Sequence, residues 1–246
     1  MQEHSRQDFS VEDVSPQVSP AALFMYFLTA IWGALLGLTV LPLVIPGMTQ
    51  SILAAQPKVF WYLSRGSALV AYGLLWLSMV LGVGVTNKLA AKWTGLGKAN
   101  DLHQYVSILG IAFGLFHGLI LLGDQYSQFK LVQILVPFAT TTFRPLAVGL
   151  GQIGFYLWLI ILGSFYVRKR IGSKAWRFIH YFTYLTYAGI LIHALLAGTD
   201  AGLKATQIYY WATGGLLLFL TVYRIIHEIE SASEKRNRMA AINNRT

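Results

Sequence analysis

Six stretches of this chain, about 22–45, 59–84, 101–124, 147–168, 174–198 and 207–228, run long and apolar with few charges. A bilayer core of roughly 30 Å takes about 20 apolar helical residues to cross, so each stretch is long enough to span it. Backbone amides and carbonyls inside hydrocarbon must pair within their own segment, which makes helix the expected structure throughout. The predicted fold class is an all-α, integral membrane six-helix bundle. Composition agrees: 55% of residues are hydrophobic and 12% charged, against about a quarter charged in soluble domains. With no cysteine in the chain, disulfides, thiolate metal sites and cysteine nucleophiles are excluded.

Residues 1–20 read as a polar N-terminal tail that holds Glu3, Asp8, Glu12 and Asp13 and lacks the basic start of a signal peptide. Residues 21–228 carry the six spans, and 229–246 form a basic and polar C-terminal tail. Breaks are expected at Pro42 and Pro46-Gly47, at Gly95 to Gly97, and at Gly172. The longer 125–145 connection includes a Leu131–Phe138 stretch suited to the membrane interface.

The formal charge of +9 does not point to nucleic acid, because the bases lie between apolar segments rather than along one face. They report topology instead. Fourteen Lys and Arg residues fall on one side: Arg6, Lys88, Lys92, Lys98, Arg168, Lys169, Arg170, Lys174, Arg177, Arg224, Lys235, Arg236, Arg238 and Arg245. Lys58, Arg65, Lys130, Arg144 and Lys204 fall on the other. Both termini are therefore expected in the cytoplasm, with a bacterial inner membrane as the setting.

Ionisable residues within spans are costly and mark function by default. His103 and His117 share the third span, fourteen positions apart, and His180 and His193 share the fifth, thirteen apart. Fourteen helical residues rise about 21 Å and return to within about 40° of the starting face. Both spans run from cytoplasm outward, so His103 matches His180 near the inner side and His117 matches His193 near the outer side. That predicts two bis-imidazole metal sites, one above the other. Thirteen ideal steps leave the fifth-span histidines about 140° apart in projection, so a bulge, a tilt or differently rotated ligands would have to reconcile them. Ser107, Gly110, Gly114 and Gly118 complete a small-residue stripe on the third span. It either leaves room for a large flat group or packs against a neighbouring helix. His4 and His227 belong to or border the tails and are expected in water.

The segments Asp101–His117 (DLHQYVSILGIAFGLFH) and Trp176–His193 (WRFIHYFTYLTYAGILIH) resemble the ferric-reductase-like transmembrane domain. That superfamily includes NADPH oxidases, ferric reductases and the heme subunit of the bacterial methionine sulfoxide reductase system. It has the same fourteen and thirteen spacings and an Arg near the outer end of the second helix, matched here by Arg65 in WYLSRGSA. The likeness covers about residues 59–200.

The resemblance implies two heme b groups held by His103, His117, His180 and His193, with Arg65 at the outer-heme propionates. An alternative for Arg65 is snorkelling to the outer interface. It also implies transmembrane electron transfer by a di-heme b-type cytochrome, from a cytoplasmic-side donor to an outer-side acceptor. Many relatives continue into flavin and nicotinamide domains, whereas this chain ends about 18 residues past its sixth span. Electrons are then expected from a separate flavoprotein, a bound flavin such as FMN, or a quinol or quinone. Lys174 and Arg177 are candidates beside the inner heme, and Arg144 is a candidate for guiding the acceptor. The Gly149-Leu-Gly151-Gln-Ile-Gly154 string matches a dinucleotide fingerprint but lacks the preceding strand, so it is set aside. Competing readings are a quinol-oxidising cytochrome b subunit, a histidine-relay proton-linked transporter, and a structural anchor for a redox partner.

Overall fold

The computed structural model describes residues 16–44, 59–86, 96–124, 127–141 and 143–243. Residues 1–15, Pro46-Gly47, Lys58, Lys88, Lys92, Gln125 and Arg245, on which several of the expectations above fall, lie outside them. Among the described residues there are helices and no strand. They are α1 (Pro20–Val44), α2 (Val59–Thr86), α3 (Leu96–Leu119, extended by a 3₁₀ turn Ile120–Gly123), the short α4 (Leu131–Leu135), α5 (Pro145–Ile171), α6 (Ser173–Ala197) and α7 (Lys204–Asn243).

Five described segments are long and apolar enough to cross a membrane: Val59–Thr86, Gly97–Gly123, Pro145–Ile171, Ser173–Ala197 and Lys204–Glu234. Their composition and length make this a multi-pass membrane protein. In α1 the stretch Pro20–Leu36 is apolar as well, and Phe24, Met25, Trp32 and Leu36 are exposed on it. Residues of that kind facing outward suit lipid rather than water.

Three boundaries differ from expectation. The third segment starts at Leu96, not near residue 101, because the polar run from Lys98 to Asp101 is folded into the first turns of α3. Pro42 falls in the last turn of α1 rather than ending it earlier. The polar residues after 228 continue α7 to Asn243; their Glu, Lys, Arg and Ala content favours helix even where the apolar pattern has ended.

The core lies at mid-height and draws on five helices: Tyr72, Leu75 and Met79 of α2, Ile111 of α3, Trp158 of α5, Tyr187 of α6, and Tyr210 and Leu217 of α7. Small residues let the helices approach. A Cβ at Gly110 would fall 2.5 Å from the Trp158 ring, and one at Gly154 would fall 2.7 Å from Ile190. A Cβ at Gly114 would fall a tight 3.3 Å from Phe155, and one at Gly118 the same distance from Ile134. The small-residue stripe of α3 is thus a packing face at these positions. Hydroxyls hold the centre together as well: Tyr72 Oη lies 2.7 Å from Tyr187 Oη and 2.7 Å from Thr213 Oγ1.

Candidate functional site

The four histidines form two pairs. The ring centres of His103 and His180 are 6.2 Å apart with planes at 68°, and those of His117 and His193 are 6.2 Å apart with planes at 70°. The pairing by depth expected from the sequence is the pairing in the structure. Along α3 the two levels are fourteen residues, about 21 Å, apart.

What holds the rings is mostly backbone. His103 Nδ1 donates to the carbonyl of Ser78 at 2.8 Å, His117 Nδ1 to that of Ser64 at 2.8 Å, and His193 Nδ1 to that of Ala147 at 2.7 Å. A carbonyl can only accept, so in these three rings Nδ1 carries the proton and Nε2 keeps a free lone pair. Ligating histidines are oriented in this way, by a hydrogen bond from the ring nitrogen that faces away from the metal. Ser64 and Ser78 are fourteen residues apart on α2, as His103 and His117 are on the antiparallel α3. One helix therefore braces both rings of the other. Side-chain hydroxyls add to the brace. Ser64 Oγ donates to the His117 carbonyl at 3.0 Å. Ser107 Oγ donates to the His103 carbonyl at 2.7 Å and sits 2.6 Å from Ser78 Oγ. His180 is positioned by stacking on Trp176, with ring centres 5.1 Å apart and planes at 33°.

No bulge reconciles the thirteen-residue interval of α6, which is α-helical throughout. The side chains absorb the difference. His180 lies along its own helix against Trp176, whereas His193 turns towards α5. There it meets the Ala147 carbonyl, and Gly151 has no side chain to block it: a Cβ at Gly151 would fall 2.5 Å from His193 Nδ1. The three glycines of the discarded fingerprint have separate packing uses, Gly149 beneath Phe138, Gly151 beneath His193 and Gly154 beneath Ile190.

Two imidazoles that bind one metal from opposite sides through nitrogens at roughly 2 Å place their ring centres roughly 6 Å apart. Both pairs meet that distance. Among the described residues no three His, Asp or Glu side chains come together as a metal set. Each pair could supply two imidazole nitrogens to one metal ion or metal-bearing group.

The model of the family described as a domain of unknown function (DUF8596) matches residues 59–200, more than half of the chain. The chain belongs to that family. No curated protein and no solved structure matches it. The DUF8596 region opens at Val59, the first residue of α2, and closes at Asp200, just past α6. It holds both histidine pairs and all three carbonyl braces, while α1 and α7 lie outside it.

The His117–His193 end of the bundle contains a cavity lined by His117, His193, Arg65, Trp61, Gln152 and Phe143. Arg65 reaches it from α2 and pairs with Asp200 and with Thr199 Oγ1 at the end of α6. The sequence reading missed Asp200, which lies outside every span. Arg144, left-handed at φ 40° just before Pro145, donates to the Leu196 carbonyl and so ties the start of α5 to the end of α6. The 131–138 stretch is fastened to α5, where Gln152 Nε2 donates to the carbonyls of Gln133 and Ile134 at 2.7 Å each. Leu131, Val132, Val136 and Phe138 of that stretch are exposed.

At the His103–His180 end Lys174 and Arg177 are exposed, whereas Arg168 is buried. His227 is exposed on α7, and His4 lies outside the described residues.

Proposed function

We propose that this chain is a di-heme b-type membrane cytochrome that carries single electrons from a cytoplasmic donor to an acceptor on the outer side. The observation that supports it is the presence of two imidazole pairs, each with ring centres 6.2 Å apart, at two depths of one helix bundle. An iron porphyrin bound at each pair supplies reversible one-electron chemistry.

The protein's part is to bind and orient. Ser64, Ser78 and Ala147 fix the Nδ1–H tautomer through their carbonyls, so that Nε2 of His103, His117 and His193 is the coordinating nitrogen. Trp176 sets the plane of His180. The dense core of Tyr72, Ile111, Trp158 and Tyr187 keeps water out of the space between the two levels. Arg65, at the wall of the outer cavity, is paired with Asp200, and a heme carboxylate there would compete with that partner for its guanidinium. We assign six spans, α1 among them, with both termini cytoplasmic. The donor side then carries fourteen of the nineteen Lys and Arg residues, a surface suited to an acidic flavoprotein. A bound flavin such as FMN or a membrane quinol would serve the same side. The likeness to the ferric-reductase-like domain, in both histidine spacings and in Arg65, supports this reading.

The test is heme per chain and the reduced-minus-oxidised spectrum of the detergent-purified protein. Two b-type hemes are expected, with the number falling in His117→Ala and in His180→Ala. A colourless protein, produced with heme supplied, would overturn the reading and favour the histidine-relay transporter.

A further inference from the structure

Ala147, Gly154, Trp158, Ile161 and Arg168 are buried on α5, at intervals that keep them on one stripe. The last of them is a cation. Arg168 is 6% exposed, and its guanidinium carbon stands 4.1 Å from the centre of the Phe165 ring. Neither Nη1 nor Nη2 has a hydrogen-bond partner among the described residues. A buried charge without a counter-charge is costly. So long a side chain, this close to the helix end, could instead reach water.

The packing fixes its level. Trp158 fills the space beside Gly110 of the antiparallel α3. Ten residues towards the cytoplasm from Trp158 is Arg168; ten residues towards the cytoplasm from Gly110 is Asn100. His103 stands three residues, about 4.5 Å, further out. The other inner histidine is reached through rings: Phe165 lies 6.5 Å from Trp176, and Trp176 lies 5.1 Å from His180. Asn100 Nδ2, Gln104 Nε2 and Trp176 Nε1 are also buried without a partner among the described residues. Each of these unpaired atoms is an N–H donor, so among the described residues this end of the bundle offers donors and a positive charge with no matching acceptor.

We propose that this cluster receives the carboxylates of the ring held between His103 and His180, with Arg168 as their counter-ion. The inference rests on the two-heme reading and adds the ring's orientation: its acidic edge faces the cytoplasmic end of α5. An anionic lipid headgroup presents the same chemistry, so the test separates the two sources.

The experiment compares purified wild-type protein with Arg168→Met, Arg168→Gln and Arg168→Lys by heme content, potentiometric titration and bound phospholipid. Wild type without heme overturns the parent reading on its own, before any variant is compared. With two hemes in wild type, Arg168→Met is expected to move one heme potential in the negative direction or to lower heme content from two towards one. Arg168→Lys, which keeps the charge, is expected to retain both hemes with a smaller shift. Arg168→Gln replaces Arg168→Met in the comparison if the latter aggregates. Two hemes at wild-type potentials in the neutral variants overturn the proposal. If those variants also lose bound anionic phospholipid, the cluster is assigned to a lipid headgroup instead. As a cross-check on unmutated protein, wild type is reconstituted with the dimethyl ester of the porphyrin, whose carboxylates are blocked. That preparation removes the negative charge and leaves Arg168 in place, so it is expected to lower heme content or to move the potential in the positive direction, opposite to Arg168→Met; equal potentials with free and esterified porphyrin overturn the proposal.

Discussion

At the scale of single residues, the site is built from atoms that no residue type advertises. Backbone carbonyls of Ser64, Ser78 and Ala147 orient three rings, and the missing side chain of Gly151 on α5 admits His193 of α6. Adding one methyl at Gly151 is therefore an informative change. Its Cβ would meet three ring atoms of His193 at 2.5 to 2.7 Å, and such overpacking costs about 1–3 kcal/mol. Gly151→Ala is expected to lower thermal stability and to reduce occupancy of the outer site, read as heme per chain and as a changed reduced spectrum. Gly163→Ala, where nothing lies within 4 Å of the added carbon, serves as the comparison and is expected to change neither. Equal heme content and equal melting in the two variants would mean that His193 does not depend on the contact with α5.

At the scale of helices, the fold depends on close approach at mid-height. Trp158 is 5% exposed and fills the gap that Gly110 leaves on α3. Truncating a buried Trp to Ala costs about 3–5 kcal/mol in well-packed cores. Trp158→Ala is expected to aggregate at markedly lower temperature in detergent, measured by the fraction surviving gel filtration after heating. Trp211→Ala, at a side chain 81% exposed, should behave as wild type; equal losses would show that the α3–α5 contact carries no special weight. The helices themselves were legible in the sequence, because apolar length alone decides what can cross hydrocarbon. The pairing of His103 with His180 and of His117 with His193 was legible too, since spacing and direction fix depth. The serine brace on α2 left a trace, the fourteen-residue interval between Ser64 and Ser78, but serine is too common in helices for the interval to stand out. Arg168 could not be told from its neighbours Lys169 and Arg170 by sequence. Only the packing of α5, where Arg168 lies over the Phe165 ring and on the same buried stripe as Trp158, separates a buried guanidinium from two exposed cations. Likewise the 140° offset on α6 seemed an obstacle only while side chains were projected as radial spokes; their length and the gap at Gly151 remove it.

At the scale of the whole molecule, direction matters as much as the site, because an electron path has a donor side and an acceptor side. The proposed orientation, drawn from fourteen Lys and Arg residues against five, has the α5–α6 turn and the end of α7 in the cytoplasm and the α6–α7 turn outside. The protein has no cysteine, so single introduced thiols report topology without background. Gly202 lies exposed in the α6–α7 turn with open space around its Cα, and Asn237 is exposed near the end of α7. A 40-residue helix is about 60 Å long, twice the roughly 30 Å hydrocarbon thickness, which carries Asn237 well clear of the bilayer. In intact cells a membrane-impermeant maleimide is expected to label Gly202→Cys and to spare Asn237→Cys until the membrane is broken. The reverse pattern would turn the bundle over, put the Arg168 cluster on the outer face, and make the His117–His193 level the donor side. Labelling of both thiols in intact cells would mean that α7 does not cross the membrane at all, and the six-span assignment would fail with it.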